Sequence, residues 1–140
     1  MKKIIIVLSL LVPSALTIQY IPYLPSISEV RCMVANVYRE ARGEPVEGQL
    51  AVARVVLNRT IMKEYPDTAC GVIYQKHQFS WTSQYKDITY TMNEVNVVTK
   101  AYNEPDDFKA THYHNTNVHP SWRTKLKKGV TIGKHIFYYP

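Results

Sequence analysis

Along residues 29–63 apolar side chains return every third or fourth position, the spacing of a helix with one buried face. Val30, Met33, Val34, Val37 and Ala41 form the stripe of a helix expected over about Glu29 to Arg42. Ser26 or Ser28 can cap it, and Glu29 places an acid in its first turn. Gly43 stops this helix, and Pro45 suits the first position of the next, expected to run to about Lys63. There Leu50, Ala53, Leu57 and Ile61 recur at helical spacing, while Val52, Val55 and Val56 widen the stripe. A helix apolar on most sides belongs at the centre of a core. Pro66 ends the region, and Cys70 to Gln75 reads as a short helix or turn. Thr91 to Asn103 reads as a further helix with Val95, Val98 and Tyr102 inward. After Ala110 the character changes: residues 110–116 and 130–138 read as two strands that pair. The architecture expected is α+β, mostly helical with a small antiparallel sheet.

At 140 residues and 46% hydrophobic content the chain makes one domain with a real core, which excludes wholesale disorder. A formal charge of +6 suits an anionic partner: nucleic acid, a membrane surface or an acidic wall polymer. The first residues choose among these. Lys2 and Lys3 precede an apolar run from Ile4 to Leu16, the pattern of an export signal. Extended to Leu24, the run is about long enough to cross a bilayer, so a releasable anchor in transient membrane contact is the second reading. Residues 1–25 are therefore expected to be an export signal or releasable anchor plus a linker marked by Pro22 and Pro25, with the folded domain over 26–140. An exported monomer of the periplasm or cell envelope follows, with no nucleic-acid partner. Cys32 and Cys70 fit no CxxC motif. Their one possible pairing reads as a structural disulfide in an oxidising compartment, against two buried thiols.

The chemistry concentrates in Tyr38-Arg39-Glu40-Ala41-Arg42-Gly43-Glu44-Pro45. Glu40 follows Val37 by three residues and Met33 by seven, which sets it beside the apolar stripe. A carboxyl there is partly desolvated, its pKa rises, and it can serve as a general acid near neutral pH. Glu44 and Glu47 are the candidates for a second carboxylate, although Glu44 is better placed to cap the second helix or to bind Arg42. Gln49 either faces a cleft or is structural. Gln78-Phe79-Ser80-Trp81 is a stronger cleft candidate, with Gln78 and Phe79 foremost, since an aromatic face can stack on a ligand ring and an amide can bond its polar groups; core packing is the alternative for Phe79. His112 and His114 point the same way from a strand and, with a carboxylate, are the raw material of a zinc site. No HExxH motif accompanies them, so no metal and no cofactor are expected. One of His112, Tyr113 and His114 is expected to face the cleft while its neighbour packs, with Tyr113 opposite the two histidines. His119 and His135 read as structural. Trp122 with Arg123, Lys125, Lys127 and Lys128 forms a basic segment that either holds anionic wall polymer or is merely solvated.

Taken in order, Tyr38–Pro45, Glu47–Ala53, Val56–Arg59, Cys70–Gln75, Gln78–Trp81, Ala110–His114 and Ile132–Tyr138 resemble the spore cortex-lytic type of cell wall hydrolase over roughly Val30 to Tyr138. The resemblance implies a lysozyme-like domain related to lytic transglycosylases, possessed also by phages as endolysins. It implies cleavage of the β-1,4 bond between N-acetylmuramic acid and N-acetylglucosamine in peptidoglycan glycan strands. It assigns the catalytic role to the first glutamate of Glu-Ala-Arg-Gly-Glu, here Glu40. The spore enzymes often carry a separate wall-binding domain, which is not expected within these 140 residues. Residues 84–90 and 103–109 depart from the family pattern and are expected to border the cleft. The competing readings are a hydrolytic muramidase, a zinc-dependent amidase and a non-catalytic wall-binding module.

Overall fold

A computed structural model of the chain describes residues 25–83, 90–104 and 106–140. The expected export segment up to residue 24 and the expected cleft border at 84–89 lie outside the described residues. Among the described residues, no helix is long and apolar enough to cross a membrane.

Helix α1 spans Ile27–Ala41. The Ser26 hydroxyl accepts the Glu29 backbone N–H at 3.2 Å and so satisfies one of the open donors of the first turn. Met33, Val34, Val37 and Ala41 are buried, as their spacing requires. Helix α2 spans Val46–Thr60, with Pro45 as its cap residue. It stops three residues short of Lys63: Ile61 is 81% exposed, so no core lies beyond Thr60 to hold another turn.

Helix α2 divides the core. One side joins α1 to α3 (Ala69–Tyr74) and α4 (Met92–Asn103) through Val34, Val37, Val56, Val72, Ile73 and Val98. Its other side meets the sheet through Val52, Val55, Ala110 and Phe137. Local chemistry sets the helix starts. Thr68 accepts from Gly71 N–H at 3.0 Å to open α3, and the Glu29 carboxylate reaches across from α1 to the free N–H groups of Ala69 and Cys70. Cys32 and Cys70 form a disulfide between the same two helices. Thr91 and Glu94 make a reciprocal capping box at the start of α4.

The sheet holds β1 (His112–Asn115), β2 (Lys127–Ile132) and β3 (His135–Tyr139) in the order β1-β3-β2, all antiparallel. The single strand expected over 130–138 is instead a hairpin. Gly133, at φ +56°, takes the left-handed conformation that turns the chain. Glu44, from the α1–α2 junction, accepts the Lys134 backbone N–H at 2.8 Å and fastens the turn. A Cβ on residue 133 would collide with the Glu44 carboxylate, so the same contact requires glycine. The expectation that Glu44 caps α2 or binds Arg42 is thereby corrected: its carboxylate is aimed at the hairpin tip, and α2 has no side-chain cap.

Candidate active site

The last turns of α1 and α2, the segment after α3 and strand β1 meet around a cleft of about 330 Å³ lined by Glu40, Arg59, His77, Gln78, Phe79, Ser80 and Tyr113. Glu40 arrives there because it stands three residues after Val37 and one before Ala41, both buried: it lies at the border of the buried face, half-buried itself. Desolvation raises its pKa above the ordinary 4.5. The Tyr113 hydroxyl donates to Glu40 Oε2 at 3.1 Å and opposes that rise without cancelling it. Tyr113 is held by ring contacts with His135 and Phe137 of β3. Burial and the neighbouring Glu40 keep the phenol protonated, so it remains a donor.

Arg59 also lines the cleft. It is buried, donates from Nε to the Thr111 carbonyl at 2.7 Å and from Nη1 to Gln78 Oε1 at 2.9 Å, and lies over the Tyr65 ring. Burial lowers its pKa, with Tyr65 and Tyr113 opposing, yet a guanidinium keeps its proton inside proteins. The bond to Arg59 fixes the Gln78 carboxamide in the cleft. His77, at φ 66°, makes the sharp turn out of α3 that presents Gln78 and Phe79.

Several expected site residues are elsewhere. Gln49 is buried beside the α1–α2 junction, donating to the Glu44 carbonyl at 2.9 Å and accepting from Asn93 at 2.7 Å, so both ends of its amide are spent inside the fold. His112 and His114 lie on the face of β1 away from Glu40. His112 Nε2 meets Tyr65 Oη at 3.4 Å and its ring meets Trp122; His114 stacks on Tyr138 and contacts Trp122. Strand alternation therefore gives the cleft position to Tyr113 and packing positions to both histidines. Among the described residues no group of three His, Cys, Asp or Glu could hold a metal ion. Phe79 is buried in the helical core and also lines the cleft. Ser80 lines the cleft with its expected neighbours Gln78 and Phe79, whereas Arg59 and His77 were not among the expected site residues. The signal for Arg59 was present: it follows Val52, Val55 and Val56 by seven, four and three residues, so a cation stood on the buried stripe.

A family model described as cell wall hydrolase matches residues 43–138. The chain belongs to the cell wall hydrolase family. Glu40 itself precedes the matched residues. The spore cortex-lytic enzyme of Bacillus cereus is 39% identical over an alignment of 119 positions that covers 80% of this chain and 44% of that enzyme. The chain thus spans less than half the length of this curated relative. The catalytic domain of the germination-specific lytic transglycosylase SleB from Bacillus anthracis superimposes with a TM-score of 0.75 at 33% identity, covering 84% of this chain and 99% of that domain. The catalytic domain of the Bacillus cereus SleB protein matches equally, with 94% of its own chain covered. This family's fold is what brings the ends of α1 and α2 to strand β1.

Proposed function

We propose that the chain is a peptidoglycan lytic transglycosylase, cutting the β-1,4 bond between N-acetylmuramic acid and N-acetylglucosamine with Glu40 as the acid and then the base. The observation that carries this reading is a single carboxyl among the described residues of the cleft, half-buried and with a raised pKa. A hydrolase of the ordinary kind uses two carboxyl groups across the scissile bond. Among the described residues lining the cleft Glu40 is the one carboxyl, and Glu44 is committed to the Lys134 N–H. The similarity to a lytic transglycosylase domain supports the same choice.

The steps then balance without water. Protonated Glu40 gives its proton to the glycosidic oxygen, and the bond from that oxygen to the muramic C1 breaks. The C6 hydroxyl of the same sugar attacks C1 as the Glu40 carboxylate takes the hydroxyl proton. A 1,6-anhydro ring forms and Glu40 is protonated again. Because Tyr113 donates to Oε2, Oε1 is the oxygen that carries the proton. Gln78, held by Arg59, is placed to bond an acetamido group, and Phe79 to offer an apolar wall. The site of action is the cell envelope, with residues 1–25 serving as export signal or releasable anchor and the domain acting as a monomer; phage lysis, wall remodelling and spore germination all suit such an enzyme.

The test is digestion of purified peptidoglycan by the full chain and by Glu40→Gln, with products read by mass spectrometry. Muropeptides ending in 1,6-anhydro-muramic acid, reduced about 10³-fold by the substitution, are expected. Reducing muramic ends would replace transglycosylation by hydrolysis, and free stem peptides on intact glycan would overturn the glycosidase reading.

A further inference from the structure

The charge of this chain is segregated. Residues 108–140 contain six Lys and Arg and no Asp or Glu, while residues 1–107 hold eleven of each sign, so the formal +6 belongs entirely to the C-terminal quarter. The fold lays most of that charge along one border. Trp122 packs against His112, His114 and Tyr138 on the outer face of the sheet and anchors the short 3₁₀ turn Ser121–Lys125 there. Lys125 at the end of this turn, Lys127 and Lys128 at the start of β2, and Lys134 at the hairpin tip are all exposed. Lys127 is opposite Tyr139 and Lys128 opposite Tyr138, whose side chains lie on alternate faces of β3, so the two lysines project to both sides of the strand. Strand β2 is an edge of the sheet. Lysines on an edge strand discourage pairing with another chain, but that role concerns β2 alone and leaves Lys125 and Lys134 unexplained.

We infer that this lysine border is a second contact surface for peptidoglycan, taking the free carboxylates of the stem peptides while the glycan occupies the cleft. The inference rests on the proposed function. Two features select this occupant. Lys127 and Lys128 lie two strand spacings, about 10 Å, from β1, the strand that carries Tyr113 into the cleft, and Lys134 abuts the end of β1, its carbonyl accepting the Thr116 N–H at 2.8 Å; groups hanging sideways from a bound glycan reach that far. The contacts are lysines, compact point charges on flexible stems, which suit carboxylates of variable position better than one fixed bidentate partner.

The experiment uses the full chain with Glu40→Gln, which keeps the wall intact, and a second version that adds Lys125→Gln, Lys127→Gln, Lys128→Gln and Lys134→Gln. Each is pelleted with insoluble peptidoglycan stripped of phosphodiester polymers, with the same material after amidase removal of its stem peptides, with unstripped walls and with phosphatidylglycerol vesicles. The four substitutions are expected to weaken retention on stripped peptidoglycan about tenfold, and to change nothing once the stems are removed. The thermal midpoint stays put, because all four side chains are exposed. Equal retention of both versions on stripped peptidoglycan would overturn the inference. So would a lysine-dependent difference confined to unstripped walls or to vesicles, which would assign the surface to wall phosphate or to lipid headgroups. A parallel digestion of soluble muropeptide oligomers with Glu40 present separates the two readings: no anhydro product beside stem-dependent pelleting removes the enzymatic proposal and leaves the surface in place.

Discussion

Glu40 keeps its proton to a higher pH than an ordinary glutamate because the end of α1 is too enclosed to hydrate a carboxylate fully, and one hydrogen bond from Tyr113 returns only part of that loss. Replacing Tyr113 by Phe removes the bond that favours the charged form. The Glu40 pKa then rises further, so the alkaline limb of the pH–kcat/KM profile moves to higher pH, and the rate at the optimum falls about tenfold as the carboxyl loses its orientation. A profile measured for both proteins checks the direction. The same desolvation makes a statement about stability. Below about pH 4.5, the ordinary value, Glu40 is protonated whether the chain is folded or not and costs nothing. As pH rises the unfolded chain releases its proton first, and the native state loses stability until pH has passed through the raised native pKa. Glu40→Gln is therefore expected to raise the thermal midpoint at pH 7 and to leave it unchanged at pH 4, as scanning calorimetry at the two pH values would reveal.

Among the elements, α1 and α3 are joined three ways: by the Val34, Val37, Val72 and Ile73 core, by Glu29 on the first N–H groups of α3, and by the Cys32–Cys70 disulfide. A six-residue helix cannot hold itself in water, so α3 exists because these contacts impose it. It in turn leads into His77–Ser80 at the cleft. The disulfide closes a loop of 38 residues, and chain entropy alone gives it about 4 kcal/mol. Replacing both cysteines by serine should lower the unfolding free energy by roughly that amount in a denaturant titration. Glycan-cleaving activity should fall with it, because the segment carrying Gln78 and Phe79 loses its support.

Over the whole molecule, one helix serves two cores: α2 packs on the other helices with one side and on the sheet with the other. That placement brings Arg59 to the same cleft as Glu40 and Tyr113, although all of these are far apart in sequence. The uneven charge acts at this scale too. With the positive charge gathered in residues 108–140, attachment to an anionic solid should weaken as the ionic strength rises and the screening length shrinks. The initial rate on insoluble peptidoglycan is expected to fall several-fold between about 0.05 and 0.5 M salt, while the rate on short soluble glycan fragments stays within about twofold. Paired rate measurements on the two substrates decide it.

Periodicity alone determined α1, α2 and α4, because a buried stripe at helical spacing leaves one way to hide it. It also set Glu40 at the edge of that stripe, and the motif order identified the family. Alternation placed Tyr113 on the opposite side of β1 from His112 and His114. Which side faces the cleft was decided only when β1 paired with β3 and α2 covered one face of the sheet. The hairpin was hidden because Gly133 sits within a run of strand-forming residues, and its turn depends on Glu44 accepting the N–H of Lys134, ninety residues later in the chain. Gln49 looked available for substrate because its two partners, the Glu44 carbonyl and Asn93, belong to segments brought together only by folding. Residue spacing within one element is a local property carried by the chain. Which polar groups are spent on the fold and which are left facing the cleft depends on contacts between distant segments, and those exist only in three dimensions.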